Sequence, residues 1–115
     1  MADVFNFDVF RGSNLPVVTW ELYDEEDAPM LLAGQQFVLS VRWQDGGLQK
    51  RSADADGLNV NIEQSQVTWT PSLAESRMIP LGRRSRYELE CRTGDLQFVV
   101  VTGSIVGIGG LNSDD

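Results

Sequence analysis

Apolar and polar residues alternate with a period of two along most of this chain. In the clearest run, one face of an extended segment carries four apolar side chains, Phe37, Leu39, Val41 and Trp43. Because successive side chains of a β-strand point to opposite faces, this pattern predicts strands with one buried face. The alternation recurs in further short runs, at 5–9, 16–22, 58–62, 67–69 and 87–91. A helical period over a long stretch is excluded by the same residues.

Turn residues separate these runs at intervals of roughly eight to twelve residues, as in β-sandwiches and barrels. Examples are Arg11–Asn14, Asp45–Gly47 and Thr93–Asp95. The pattern predicts an all-β chain, a single-domain antiparallel β-sandwich of the immunoglobulin-like kind, with about seven to nine short strands. We expect one domain over residues 1–112 and a frayed acidic tail over 113–115.

Two local features refine this prediction. Ser72 and Glu75 have the Ser-x-x-Glu spacing of a capping box, in which each side chain accepts a hydrogen bond from the other's backbone N–H. With Pro80 close behind, they predict one short helix of about two turns. Gly103 interrupts an apolar strand and predicts a bulge or bend there.

The charged residues and the missing histidine restrict the function. The chain has 17 Asp and Glu against 9 Lys and Arg, a net charge of -8, and no His. Nucleic-acid binding needs clustered Lys and Arg, so the balance argues against it. Without histidine there is no imidazole base for a serine or cysteine nucleophile and no ordinary zinc site. We therefore expect no enzyme, no cofactor and no metal.

Neither a targeting segment nor a membrane segment is predicted. Met1–Asp3 lacks the basic region and apolar run of a signal peptide. The uncharged stretch 96–113 is interrupted by glycines and polar residues, so we expect no membrane insertion.

The order of the strands and turns resembles that of small structural proteins of tailed phages and prophages. In particular it is similar to the β-sandwich domain at the N-terminus of the lactococcal-phage baseplate upper proteins. The resemblance rests on a Phe-rich strand with an Arg-Gly turn, an apolar strand, a Leu-x-Gly element, a Gly-Leu-x-Ile-like strand, a Tyr-x-Leu-Glu strand and a Gly-x-Val-like strand. These are Phe5–Gly12, Leu15–Tyr23, Leu32–Gly34, Gly57–Ile62, Tyr87–Glu90 and Gly103–Val106.

The resemblance implies a non-catalytic virion protein of the tail, baseplate or head–tail region, made in the bacterial cytoplasm. Its partners would be other copies of itself, other virion proteins, or both. The loop 44–56 and the glycine-rich end depart from the family pattern. A β-sandwich module that binds a host-surface saccharide or protein remains the alternative, with a tryptophan as the stacking platform for a sugar.

Two regions of opposite charge are the candidate contact residues. The acidic turn Asp24, Glu25, Glu26 and Asp27 is solvated in the simplest interpretation, and its spacing does not match a calcium loop. Arg83, Arg84 and Arg86 form the basic cluster, which we expect in a loop after Pro80 and Gly82. We expect the two regions to meet across a head-to-tail subunit contact. Strand-edge and apolar contacts are expected at Phe98, Val100 and Ile105.

Several other residues have a structural explanation. Trp20, Trp43 and Trp69 fall in register with aliphatic neighbours, which favours core packing over a ligand platform. Cys91 shares a face with Tyr87 and Leu89, which favours a buried thiol. Glu88 and Glu90 lie between arginines on one strand face, which favours a charge ladder over a carboxylate pair for catalysis.

Overall fold

A computed structural model describes residues 3–13, 17–24, 26–54 and 57–109. Within these ranges the chain forms nine strands and one helix. They are β1 (Asp3–Val4), β2 (Phe7–Phe10), β3 (Val18–Glu21), β4 (Gln36–Trp43), β5 (Gly46–Arg51), β6 (Asn59–Asn61), β7 (Gln66–Trp69), α1 (Leu73–Met78), β8 (Gly82–Thr93) and β9 (Leu96–Ile108). The all-β prediction is confirmed, and so is the short helix with its capping box.

The strands form two sheets. The larger has the order β1-β9-β8-β4-β5, with β2 also paired to β9, and the smaller has the order β3-β7-β6. Most pairs are antiparallel, as predicted, but β1 and β2 both run parallel to β9. The first and last strands therefore lie side by side, which a period-two pattern does not encode.

One apolar core joins the two sheets. The smaller sheet contributes Val18, Trp20, Val67 and Trp69, and the larger contributes Phe37, Leu39, Val41, Tyr87, Leu89 and Ile105. Leu22 and Leu32, in the connection between β3 and β4, complete it. The inward faces of β3, β4, β7 and β8 match the alternation in the sequence, so burial of these faces explains why the strands form where they do. Phe5 and Ile62, which the alternation placed on buried faces, are 46% and 56% exposed.

The last hairpin differs from the prediction. Its strands β8 and β9 have 12 and 13 residues, whereas short strands were expected. The predicted loop at Arg83–Arg86 is wrong, because these arginines lie in β8. Register shifts occur between Gly82 and Ser85 and between Leu89 and Glu90. Gly103 is not one of these irregularities, and it serves a close backbone approach instead.

Candidate interaction surfaces

An open seam separates the two sheets along one side of the sandwich. β2 is bonded to β9, and β3 is bonded to β7, but no described strand joins β2 to β3. Three adjoining grooves of about 410, 380 and 690 Å³ follow this seam. The first two grooves share Phe5 and Thr19, and the last two share Asp3 and Tyr23. The grooves thus form one continuous surface, which we call the seam.

Exposed apolar side chains line the seam. They are Val4, Phe5, Phe10, Val17, Tyr23 and Phe98, each more than two-fifths exposed. Single exposed apolar residues are ordinary, whereas large contiguous apolar patches are typical of interaction sites and ligand-binding grooves, so the seam is a candidate interaction surface. Sequence reasoning missed Phe10 and Val17. The position of Phe10 next to Val9 was an available clue, since it puts a large apolar ring on the polar face of its strand.

Aromatic rings form the floor of the seam. Phe7 contacts Trp20, Trp69 and Tyr87 with ring centroids 5.0 to 6.3 Å apart. Trp20 Nε1 donates a hydrogen bond to the Tyr87 hydroxyl at 3.1 Å, and that hydroxyl donates to the Phe5 carbonyl oxygen. Burial raises the pKa of Tyr87 to about 12, although the Trp20 hydrogen bond acts in the opposite direction. The phenol is therefore neutral at ordinary pH and acts as a structural link between the sheets.

The charged residues that line the seam are all acidic. They are Asp3, Asp8, Glu21, Asp24 and Asp27, and no lysine or arginine is among the described residues that line the three grooves. The predicted acidic turn lies at the end of the seam beside Phe98. Asp24 Oδ1 accepts hydrogen bonds from the backbone N–H of Glu26 at 2.9 Å and of Ala28 at 3.0 Å. Glu25, a member of the predicted turn, lies outside the described residues.

The β8–β9 hairpin is longer than the strands beside it, so it has an unpaired strand edge at each end. At one end β1 pairs with β9 only from Val101 onward. Leu96–Val100, which we call the β9 corner, has β8 as its sole strand partner in the described chain. Phe98 is 45% exposed there and Leu96 is 66% exposed, whereas Val100 is half-buried against the core.

At the other end β4 pairs with β8 only up to Arg86, opposite Arg42. Gly82–Ser85, which we call the β8 corner, therefore has no described strand on its β4 side. Arg83 and Arg84 are exposed, and Leu81 just before them is 53% exposed. A depression of about 580 Å³ adjoins Arg84 and is lined by Trp43, Gln44, Asp45 and Pro80. The β8 corner thus combines an open strand edge with basic and apolar side chains.

A pair of like charges accompanies the β8 corner. Arg42 and Arg86 are direct cross-strand partners on the outer face of the larger sheet. Like charges in that position are destabilising. Neither guanidinium forms an ion pair with a described acidic residue, whereas Arg92 bonds Glu90 at 2.7 Å. The predicted charge ladder on β8 is therefore confirmed for Glu90 and Arg92, but Arg86 faces another arginine.

The remaining candidate residues divide between surface and core. Ile105 is fully buried, so the expectation that it contacts a partner is wrong. Trp20 and Trp69 are buried, which confirms core packing for them, and Trp43 is half-buried. Cys91 is buried as predicted, and burial raises the pKa of its thiol. The thiol is thus held in its less reactive form.

Across the described ranges, no three His, Cys, Asp or Glu side chains come together in a way that could hold a metal ion. No helix in that part of the chain has the length and apolar character to cross a membrane.

No protein-family model matches the chain. No curated protein matches it either.

Proposed function

We propose that the protein is a non-catalytic virion structural protein of a tailed phage or prophage, in the tail, baseplate or head–tail region. It works by docking to other virion proteins or to its own copies, and the seam is its main docking surface. The family resemblance of the sequence motivates the virion assignment.

The seam is the observation that carries the docking part of this proposal. Its exposed residues include Phe5, Phe10, Tyr23 and Phe98, and aromatic residues are enriched in protein interfaces. The strand edges of β2 and β3 along it offer backbone groups for strand addition by a partner. Both features suit a partner that contributes an extended, apolar segment.

The titratable groups near the core also fit a structural role. The Cys91 thiol and the Tyr87 phenol are both buried with raised pKa values, so neither is activated as a nucleophile or base. They serve packing and sheet-to-sheet contact.

Composition of purified particles tests the proposal. The phage or prophage that encodes the chain is induced, its particles are purified on a density gradient, and their proteins are identified by mass spectrometry. We expect the chain in the particles at a fixed ratio to the other tail proteins. Its presence in the lysate but not in the particles would contradict the virion assignment.

A matched pair of variants tests the docking surface in the same particles. Phe10→Ser with Val17→Ser removes apolar area from the seam, whereas Ile62→Ser removes a comparably exposed residue that lines none of the seam grooves. We expect the seam variant to be lost from the particles and the control to be retained. Equal retention of both would show that the seam is not the docking surface.

Saccharide binding is the second candidate, and Trp43 is the observation that favours it. This tryptophan is half-buried and lies in a depression with Gln44, Asp45 and Arg84, which offer hydrogen-bond donors and acceptors around an aromatic face. A Cβ at the nearby Gly46 would lie 2.7 Å from Trp43 Nε1, so a glycine at this position leaves space for the indole ring. Fluorescence titration with bacterial cell-surface saccharides, repeated on Trp43→Phe, tests this function. A response in the wild type that the variant lacks would support it, and no response in either would dismiss it.

A further inference from the structure

We propose that copies of this chain join head to tail, with the β8 corner of one copy paired to the β9 corner of the next. This inference rests on the assembly part of the proposed function and specifies the contact. The occupant of each corner is a second copy of the same chain.

The geometry of the hairpin allows this pairing. Among the described residues, the β8 corner has no strand on its β4 side and the β9 corner has none on its β1 side, so these two edges face in opposite directions across the larger sheet. They also lie at opposite ends of the hairpin. The β9 corner ends at Val100, and Ser85 at the end of the β8 corner pairs with Ile105. Val100 and Ile105 are five positions apart, so the two corners are separated by about 17 Å along the strand direction.

No described strand of the larger sheet therefore stands in the way of a shifted copy beside the first one. The second copy is displaced along the strand direction until its β8 corner lies beside the β9 corner of the first copy. In this position the β4 of the second copy lies beyond the free end of the first copy's β9 corner. The β1 of the first copy lies beyond the opposite end of the contact. The joined strands run antiparallel, as β8 and β9 do within one copy. The larger sheet then continues across the contact through backbone hydrogen bonds, with a bulge in each corner where β8 and β9 shift register, at Gly82–Ser85 and at Val100.

The side chains make the contact directional. Arg83 and Arg84 lie in the β8 corner, whereas Asp3, Asp24 and Asp27 line the groove beside the β9 corner. Joining two β8 corners or two β9 corners would bring like charges together, so only the head-to-tail combination is attractive. Leu81 on one side and Leu96 with Phe98 on the other add apolar contact. Such a contact is heterologous and gives a ring if its rotation closes, or a filament if it does not.

Charge exchange tests the proposal. Arg83→Glu with Arg84→Glu reverses the basic side, and Asp3→Arg with Asp27→Arg reverses the acidic side. We expect light scattering to show wild-type oligomers that grow with concentration, and an association at least about tenfold weaker for each reversed variant. An equimolar mixture of the two variants restores oligomers, because each then meets its complement. Arg51→Glu and Glu63→Arg are the controls, since both residues are exposed and lie outside the two corners.

Cross-linking gives a second measurement that does not depend on charge reversal. Arg83→Cys and Leu96→Cys chains are mixed with a short bismaleimide; Leu96 pairs with Thr93, and the native Cys91 is buried. We expect a mixed dimer, and none when Arg51→Cys replaces Arg83→Cys.

The outcomes separate this contact from the virion assignment. The head-to-tail contact is overturned if light scattering gives both reversed variants the same oligomer mass as the wild type. It is also overturned if the mixture of the two variants stays monomeric and no mixed cross-link forms. A wild type that is monomeric at every concentration yet present in purified particles overturns the contact and leaves the proposed function intact. Oligomers that are weakened in each reversed variant and restored in their mixture support the contact, even if the chain is missing from the particles.

Discussion

At the residue scale, the hydroxyl of Tyr87 links the two sheets. It accepts a hydrogen bond from Trp20 of the smaller sheet and donates one to the backbone of Phe5. Tyr87→Phe leaves the buried Trp20 Nε1 without its acceptor and the Phe5 carbonyl oxygen without this donor, so we expect a loss of about 1–3 kcal/mol in the free energy of unfolding. Urea unfolding measures it. Tyr23→Phe is the matched control, because that hydroxyl bonds Glu21 at the exposed surface. Equal stability of the two variants would contradict the role of Tyr87.

The same hydroxyl predicts a change at alkaline pH. Burial raises the pKa of Tyr87 to about 12, whereas the phenol of the unfolded chain ionises near 10. The stabilisation is therefore fully present below pH 10 and is lost as the pH rises from about 10 to 12. We expect the free energy of unfolding to fall more steeply over this range in the wild type than in Tyr87→Phe. Parallel slopes would contradict the pKa shift.

At the element scale, Gly103 lets the N-terminal strands lie against β9. A Cβ at this position would be 2.1 Å from the Phe5 carbonyl oxygen. Next to it, the Phe5 N–H donates to the Thr102 carbonyl at 2.9 Å and the Ser104 N–H donates to Asn6 Oδ1 at 2.8 Å. We expect Gly103→Ala to cost about 1–3 kcal/mol and to speed amide hydrogen exchange in β1 and β2. Gly109→Ala is the control, since its added Cβ would meet only the end of the Leu81 side chain. Unchanged exchange in Gly103→Ala would refute this role.

The elements also show what could be predicted from the sequence. The buried faces of β3, β4 and β7 and the capped helix α1 depend on neighbouring residues alone, so the local pattern was sufficient for them. The pairing of β1 and β2 with β9 joins residues about a hundred positions apart, and no local period encodes it. Gly103 illustrates the same limit, because the reason for a glycine there is a distant carbonyl oxygen.

The sequence shows which candidate contact residues are charged or apolar, but it does not show which element holds them or whether they are exposed. Pro80 and Gly82 suggest a loop around Arg83 and Arg84, yet β8 runs through these arginines, because Gly82 and Ser85 on either side of them pair with the long β9. Ile105 was placed among the contact residues because its strand looked apolar throughout. Its neighbours in the core bury it, which depends on which face of β9 is turned inward.

At the scale of the whole molecule, the three tryptophans report whether the sandwich is closed. Trp69 is fully buried and Trp20 is 3% exposed at the floor of the seam, whereas Trp43 is half-buried at the far end of β4. We therefore expect acrylamide to quench the fluorescence of Trp43 readily and that of Trp20 and Trp69 weakly. Trp43→Phe should remove the readily quenched part. Acrylamide is the suitable quencher because it is neutral, while iodide would be repelled by a chain with a net charge of -8.

The same experiment distinguishes a closed seam floor from an open one. In urea all three tryptophans are exposed, so quenching there sets the upper limit for the folded protein. If Trp43→Phe still contains a readily quenched tryptophan, Trp20 is accessible and the two sheets separate along the seam. The seam would then be a cleft that opens to a partner. Protection of both remaining tryptophans would instead mean that partners bind on a preformed surface, with the Trp20 and Tyr87 link intact beneath it.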